Sequence, residues 1–263
     1  MDLQLGGKVA LVTGGSRGIG RATAARLSAE GVIVAIAARN LDVARTTAAA
    51  LSSASAAQVV AVQADMGRAD DVRRLVDTVT TTLGPIEILI NNAATAAGRA
   101  RPPALADITR DALIAEIDVK VLGYLHAAQA VAPGMKERGW GRIVNVAGLA
   151  ALSTGSAIGS IRNVAVAALT KNLADELGPH GINVTCVHPG LTRTRQLDEA
   201  ADDDERRMLA TIEERIPKSN SIRRMIDADD IAMLITFLAS PLSLAVNGES
   251  IACGGGAPGV IRY

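Results

Sequence analysis

The stretch Lys8 to Gly20, KVALVTGGSRGIG, limits what this chain can fold into more than any other. Val9 to Val12 is an apolar run too short for a helix and bounded by glycines, which reads as a buried strand. Thr13, Gly14 and Gly15 make a tight turn, and Ile19 to Leu27 resumes with helical spacing. A strand that enters a helix through glycines leaves free backbone N–H groups at the positive end of the helix dipole. Missing Cβ atoms then let a pyrophosphate approach that backbone closely. The glycines stand as Gly14-x-x-x-Gly18-x-Gly20, with Ser16, Arg17 and Ile19 among the residues between them.

Downstream, short buried strands alternate with helices. Strands are expected at Val32–Ala37, Val59–Val62, Ile86–Ile90, Arg142–Val146 and Ile182–Val187. Helices are expected at Leu41–Leu51, at Asp70–Leu83, over a long stretch from about Arg110 to Lys136, and from about Gly159 to Leu177. Such alternation implies parallel strands joined by right-handed helical crossovers, an α/β fold of the Rossmann type with a doubly wound sheet. No linker or repeat breaks the pattern, so residues 1–263 read as a single domain. The exception is the polar segment from about 196 to 221, with its run Asp202, Asp203, Asp204, Glu205. An acidic run of this kind reads as a solvated face, or, because it follows a strand end where α/β folds carry ligand-covering segments, as a substrate lid.

Composition excludes several classes of function. Lys plus Arg and Asp plus Glu both count 27, so no charge bias points to nucleic acid or to a membrane surface. Aromatics are 2% of the chain against 49% hydrophobic residues, so the core, and any substrate pocket, is aliphatic. The two cysteines, Cys186 and Cys253, lie too far apart in sequence for a metal or redox pair and read as buried, reduced thiols. The N-terminus has no basic segment leading into an apolar one, and no apolar run is long enough to span a bilayer. A soluble cytoplasmic protein that binds no metal is expected.

From about Leu5 to Gly256, the chain resembles the short-chain dehydrogenase/reductase family. The glycine turn matches that family's TGxxxGIG rather than the GxGxxG of longer dehydrogenases. It is followed in order by Asp65, by Asn91-Asn92-Ala93, by Pro189-Gly190, by Asp229-Asp230-Ile231-Ala232 and by Asn247-Gly248-Glu249. The resemblance implies a nicotinamide cofactor held by Gly14, Ser16, Arg17, Gly18, Ile19, Gly20, Asp65, Met66, Asn91, Ala93, Pro189, Gly190, Thr192 and Thr194. Asp65 would contact the adenine, Asn91 and Ala93 the adenosine and ribose, and Thr194 the carboxamide; as a residue, Asp65 also reads as a helix N-cap. NAD-preferring members usually carry an acidic residue at the end of the second strand. This chain has Ala37-Ala38-Arg39-Asn40, where Arg39 with Arg17 reads as a fork for a 2′-phosphate or, more plainly, as two arginines solvated near loop ends. NADP(H) is therefore favoured over NAD(H).

At the catalytic positions the chain departs from its family. The resemblance implies a tyrosine that exchanges a proton with the substrate oxygen, a lysine four residues later, a serine after the fifth strand and an asparagine on the preceding helix. Alignment on Leu169-Thr170 and Glu176-Leu177 puts Gly159 at the tyrosine, Asn163 at the lysine, Gly148 at the serine and Lys120 at the asparagine. The only tyrosines are Tyr124 and Tyr263, and the only lysine between Lys136 and Lys218 is Lys171, so the usual pair is absent in any register. Lys120 and Asn163 look like an exchange of two groups. Lys120, Asn163 and Ser156 are the candidate catalytic residues, with Tyr124 one helical turn from Lys120 and with Arg162 as a further oxyanion partner. Against these stand plainer readings: Tyr124 as packing, Lys120 as a helix-end cation, Ser156 as loop chemistry, Arg162 in solvent and His188 as a strand-end residue.

Two classes of function follow. One is an NADP(H)-dependent oxidoreductase with a rearranged site acting on a small, apolar substrate. The other is an inactive NADP(H)-binding protein, a redox sensor or partner subunit. The small apolar run Val164 to Leu169 suggests helix pairing across a two-fold axis, hence a homodimer or homotetramer.

Overall fold

The structure, a computed structural model, describes residues 1–95, 103–194, 203, 206–207, 210–211, 214 and 219–258. Most of the expected lid at 196–221, and Tyr263, therefore lie outside the described residues. Seven parallel strands form one sheet in the order β3-β2-β1-β4-β5-β6-β7. They are β1 Val9–Thr13, β2 Ile33–Ala38, β3 Val59–Gln63, β4 Ile88–Asn91, β5 Gly141–Val146, β6 Ile182–Pro189 and β7 Ser250–Cys253. The helices are α1 Gly18–Ala29, α2 Leu41–Ala54, α3 Ala69–Leu83, α4 Arg110–Ile117, α5 Gly123–Arg138, α6 Ala157–Leu177 and α7 Ala228–Leu238.

Strand periodicity builds both faces of the core. Val9 and Leu11 of β1 point into one cluster with Val72, Leu75 and Val76 of α3, Ala127 and Val131 of α5 and Leu177 of α6. Ala10 and Val12 point into the other, with Leu27 of α1, Ala44 of α2 and Ile231 and Ile235 of α7. A sheet buried on both faces needs continuous apolar strands rather than alternating ones, which is why β1, β2 and β4 read as short apolar runs. A third, smaller cluster joins Tyr124, Ala147, Val166 and Cys186 beneath the C-terminal end of β5.

Four expectations need correction. The long helix from Arg110 to Lys136 is two helices joined by a π-helical turn, Asp118–Leu122. The fourth strand starts at Ile88, two residues late, and β7 has no counterpart in the sequence reading. Val166, taken as part of an apolar surface, is fully buried, because helical rotation turns it to the sheet while Val164 remains half exposed. Cys186 is buried as expected, but Cys253 is only partly so, since β7 is the sheet edge.

Candidate active site

The order of the strands reverses direction between β1 and β4, and the crevice at the C-terminal ends of those two strands is where such sheets take ligands. The glycine turn lies there. Gly14 N and Gly15 N both donate to Ala37 O at 2.8 and 3.3 Å, tying the turn to the end of β2. Gly14 has φ +65°, and a Cβ on it would come within 2.9 Å of Ala93 Cα. A Cβ on Gly20 would lie 2.3 Å from Gly14 O, so α1 starts close to the turn only because this residue is glycine. Gly18 packs on Thr194, whose Cβ would lie 3.2 Å from an added Cβ, so the loop after β6 meets the phosphate turn.

The first turn of α1 has no side-chain cap and no acidic residue, which leaves its N–H groups available to an anion. Ser16 turns its carbonyl to Thr47 Oγ1 at 3.1 Å. Arg17 and Arg39 are exposed, and among the described residues neither makes an ion pair. Ile19 packs partly buried against the core, and Met66 is buried. Asp65 does not cap α3, whose N-cap position is Arg68; its Oδ1 instead accepts from Gly67 N at 3.0 Å. Asn91 is buried and donates to Asn145 Oδ1 at 2.9 Å. Thr192 Oγ1 donates to Gly190 O at 2.9 Å, and Pro189 ends β6.

On the other side of the crevice, the end of β5 is held by three side chains. Tyr124 Oη donates to Val146 O at 3.0 Å, Lys120 Nζ to Ala147 O at 2.7 Å and His188 Nδ1 to Gly148 O at 3.0 Å. A carbonyl only accepts, so the Nδ1 of His188 carries the proton. Three successive carbonyls thus receive three side chains from α5, the π-helical turn and β6. Lys120 is 4% exposed, and burial lowers its ammonium to about 8, against a smaller opposing effect of Cys186. Burial likewise pushes the Cys186 thiol up to about 11 and the Tyr124 phenol well above its usual range. Lys120 is therefore no solvated helix-end cation, and Tyr124 is packing with its hydroxyl satisfied.

Asn163 and Gly148 come together as aligned, and so do Gly159 and Ser156. A Cβ at Gly148 would sit 3.1 Å from Asn163 Nδ2, and one at Gly159 would sit 2.9 Å from Ser156 Oγ. Asn163 is 2% exposed and its Oδ1 has no hydrogen-bond partner. Ser156 is the N-cap of α6 and accepts from Gly159 N at 3.1 Å, so helix capping accounts for its hydroxyl oxygen. Arg162 is buried rather than solvated, ion-paired to Glu116 of α4, and burial lowers its pKa.

Two residues of this region, Thr13 and Glu116, were not singled out beforehand. Thr13 donates to Ile90 O and accepts from Asn92 N at 3.0 Å and Ala93 N at 3.1 Å, binding β1 to the end of β4. Glu116 precedes Lys120 by one helical turn, a spacing visible in the sequence. His188 stands near the end of β6 as read from the sequence, but its bond to Gly148 O, 40 residues away, had no local signal.

The residues around this crevice have the donors and the glycine cradle that a dinucleotide requires, and among the described residues Asn163 Oδ1 is a buried acceptor with no donor. Comparison with known proteins agrees. Residues 8–205 match the model of the short chain dehydrogenase family, and this chain belongs to that family of oxidoreductases. It is 35% identical to rabbit (Oryctolagus cuniculus) dehydrogenase/reductase SDR family member 4 over 97% of this chain and 95% of the relative. Among solved structures it is similar to L-sorbose reductase from Gluconobacter frateurii, complexed with NADPH and L-sorbose. That match has a TM-score of 0.89, 26% identity and coverage of 99% and 100% of the two chains. It is also similar to a 7α-hydroxysteroid dehydrogenase complexed with NADH and a 7-oxo bile acid, with a TM-score of 0.85, 27% identity and coverage of 99% and 98%. No described helix is long and apolar enough to cross a membrane.

Proposed function

We infer that this protein is an NADP(H)-dependent oxidoreductase, cytoplasmic and homo-oligomeric, acting on a small apolar substrate through a site without the family's tyrosine. The observation that carries the cofactor reading is the pair Arg17 and Arg39. Arg17 lies in the glycine turn and Arg39 just past the end of β2, both exposed and without an ion pair among the described residues, and β2 ends in Ala37-Ala38 with no carboxylate to repel a 2′-phosphate. The L-sorbose reductase bound to NADPH supports this reading, and the steroid dehydrogenase bound to NADH shows that similarity of fold does not decide it.

A second reading, an NADP(H)-binding protein without turnover, is favoured by the end of β5. Tyr124, Lys120 and His188, the proton-bearing side chains there, are all engaged with backbone carbonyls. Titration with NADPH and NADH, followed by nucleotide fluorescence, tests the shared core of both readings. NADPH is expected to bind at least tenfold tighter than NADH. Arg39→Ala is expected to weaken NADPH roughly tenfold while leaving NADH within about twofold, the loss of one charge-assisted contact. Equal affinity for the two nucleotides would overturn the preference. With NADPH binding established, turnover of small ketones and alcohols separates the enzyme from the sensor.

A further inference from the structure

Two walls of the crevice rest on α7, and they are held there in different ways. The wall formed by α1, which starts at Gly18, packs Ala24 and Leu27 with Ile231 and Ile235 of α7. An ion pair from Arg26 Nε to Asp229 Oδ1 at 2.6 Å adds to that apolar contact from the surface. The loop after β6, which carries Thr194, is tied to α7 by polar contacts. Arg193 N donates to Ile226 O at 2.8 Å, and Ala228 N donates to Arg193 O at 3.1 Å. The Arg193 guanidinium grips both carboxylate oxygens of Asp227, Nε to Oδ1 at 2.6 Å and Nη2 to Oδ2 at 2.9 Å. Asp227 is fixed in turn, because its N–H donates to Asp230 Oδ2 at 2.8 Å at the start of α7. The chain that leaves β6 is therefore clamped one residue before Thr194, and Thr194 is the residue that packs on Gly18.

We propose that Arg193 and Asp227 are positioning residues for the nucleotide, their ion pair setting how closely Thr194 stands against Gly18. This rests on the reading of the chain as an NADP(H) binder. The two side chains are 30% and 43% exposed, so the pair contributes little to folding. Its two parallel hydrogen bonds fix an orientation instead. A threonine side chain is short, and a shift of about 1 Å in the loop is enough to spoil its contact with a ligand. The strand order sets which part of the nucleotide is affected. Arg39 follows β2 on one side of β1, and Thr194 follows β6 on the other, beyond β4 and β5. The clamp therefore acts on the half of the dinucleotide away from the 2′-phosphate.

Titrations with NADPH and with adenosine 2′,5′-bisphosphate, which carries the adenosine half alone, separate the two ends. Arg193→Met is expected to weaken NADPH about tenfold and to leave the bisphosphate within about twofold. Asp227→Asn leaves the arginine charged but releases it. Loss of positioning weakens NADPH about fivefold in that variant, whereas an arginine that reached the phosphates directly would be freed to bind them more tightly. The double variant is expected to bind NADPH no worse than Arg193→Met, since both changes break one contact. Arg193→Lys keeps the charge and is expected to stay within about threefold of wild type. Arg26→Met removes the pair on the α1 wall and is expected to hold NADPH within about twofold, because apolar packing keeps that wall in place. NADPH binding unchanged or tightened by Asp227→Asn, or weakened as much by Arg26→Met as by Arg193→Met, would overturn the proposal while leaving the cofactor reading intact. Failure of wild type to bind either nucleotide overturns the cofactor reading itself, and the positioning role with it.

Discussion

A lysine that is 4% exposed, with a phenol and a thiol for company, is costly to keep charged. Its folded pKa of about 8 lies below the unfolded 10.5, so between those values the unfolded chain binds more protons than the folded one. Stability attributable to Lys120 therefore rises as pH passes from 8 toward 10.5, the reverse of a lysine stabilised by a carboxylate. Relative to Lys120→Met, wild type is expected to gain about 2 kcal/mol between pH 7.5 and 9.5, read as the difference in urea unfolding free energy. Cys186 acts in the opposite sense, its raised pKa near 11 costing stability as pH climbs past 9 in both proteins, and more in Lys120→Met, where the charge that lowers it is gone. A pH-independent difference would mean that the ammonium is hydrated rather than buried.

At the scale of elements, α4, the π-helical turn and α6 form a unit whose polar contacts are concentrated on one side. Glu116 and Arg162 pair between α4 and α6, with the Arg162 side chain 9% and the Glu116 side chain 20% exposed. Glu116→Ala leaves a buried guanidinium without its carboxylate and is expected to cost roughly 3 kcal/mol in chemical denaturation. Replacing both residues by leucine is expected to cost much less, since the penalty lies in the uncompensated charge. If the two variants lose equally, the pair is held open to water.

How much of this could be read from the sequence depends on range. The glycine turn and the helices and strands around it follow from local spacing, and their ends shift by only a residue or two. The expectation that Lys120 and Asn163 exchange places could be formed at all because flanking motifs anchor the register. The π-helical turn was not visible, because nothing local in Asp118–Leu122 marks it off from the helices on either side, while Lys120 and the adjoining Tyr124 reach carbonyls at and just past the end of β5, more than 20 residues away. The role of Ser156 as the N-cap of α6 was equally hard to read, since a serine near a reactive position and an N-cap serine have the same sequence and only the bond from Gly159 N shows the cap.

Across the whole molecule, α6 carries one buried stripe and one exposed apolar stripe. Its inward stripe, Gly159, Asn163, Val166 and Thr170, is buried against the sheet and the end of β5. The outward stripe is apolar where a monomer would carry charge: Ile161 and Val164 are each 50% exposed, and Ala168 follows one turn later. Leu122, on the π-helical turn, is also exposed. Large aliphatic side chains at helical spacing, followed by a small residue, allow two such helices to approach across a two-fold axis, each covering the other's stripe. Val164→Glu puts two carboxylates at such a contact and is expected to shift a wild-type dimer or tetramer toward smaller species in size-exclusion chromatography with light scattering. Because Val164 faces away from the crevice, the monomeric variant is expected to keep its NADPH affinity within about threefold. A wild type that is already monomeric would show that this stripe is covered by something other than a second copy.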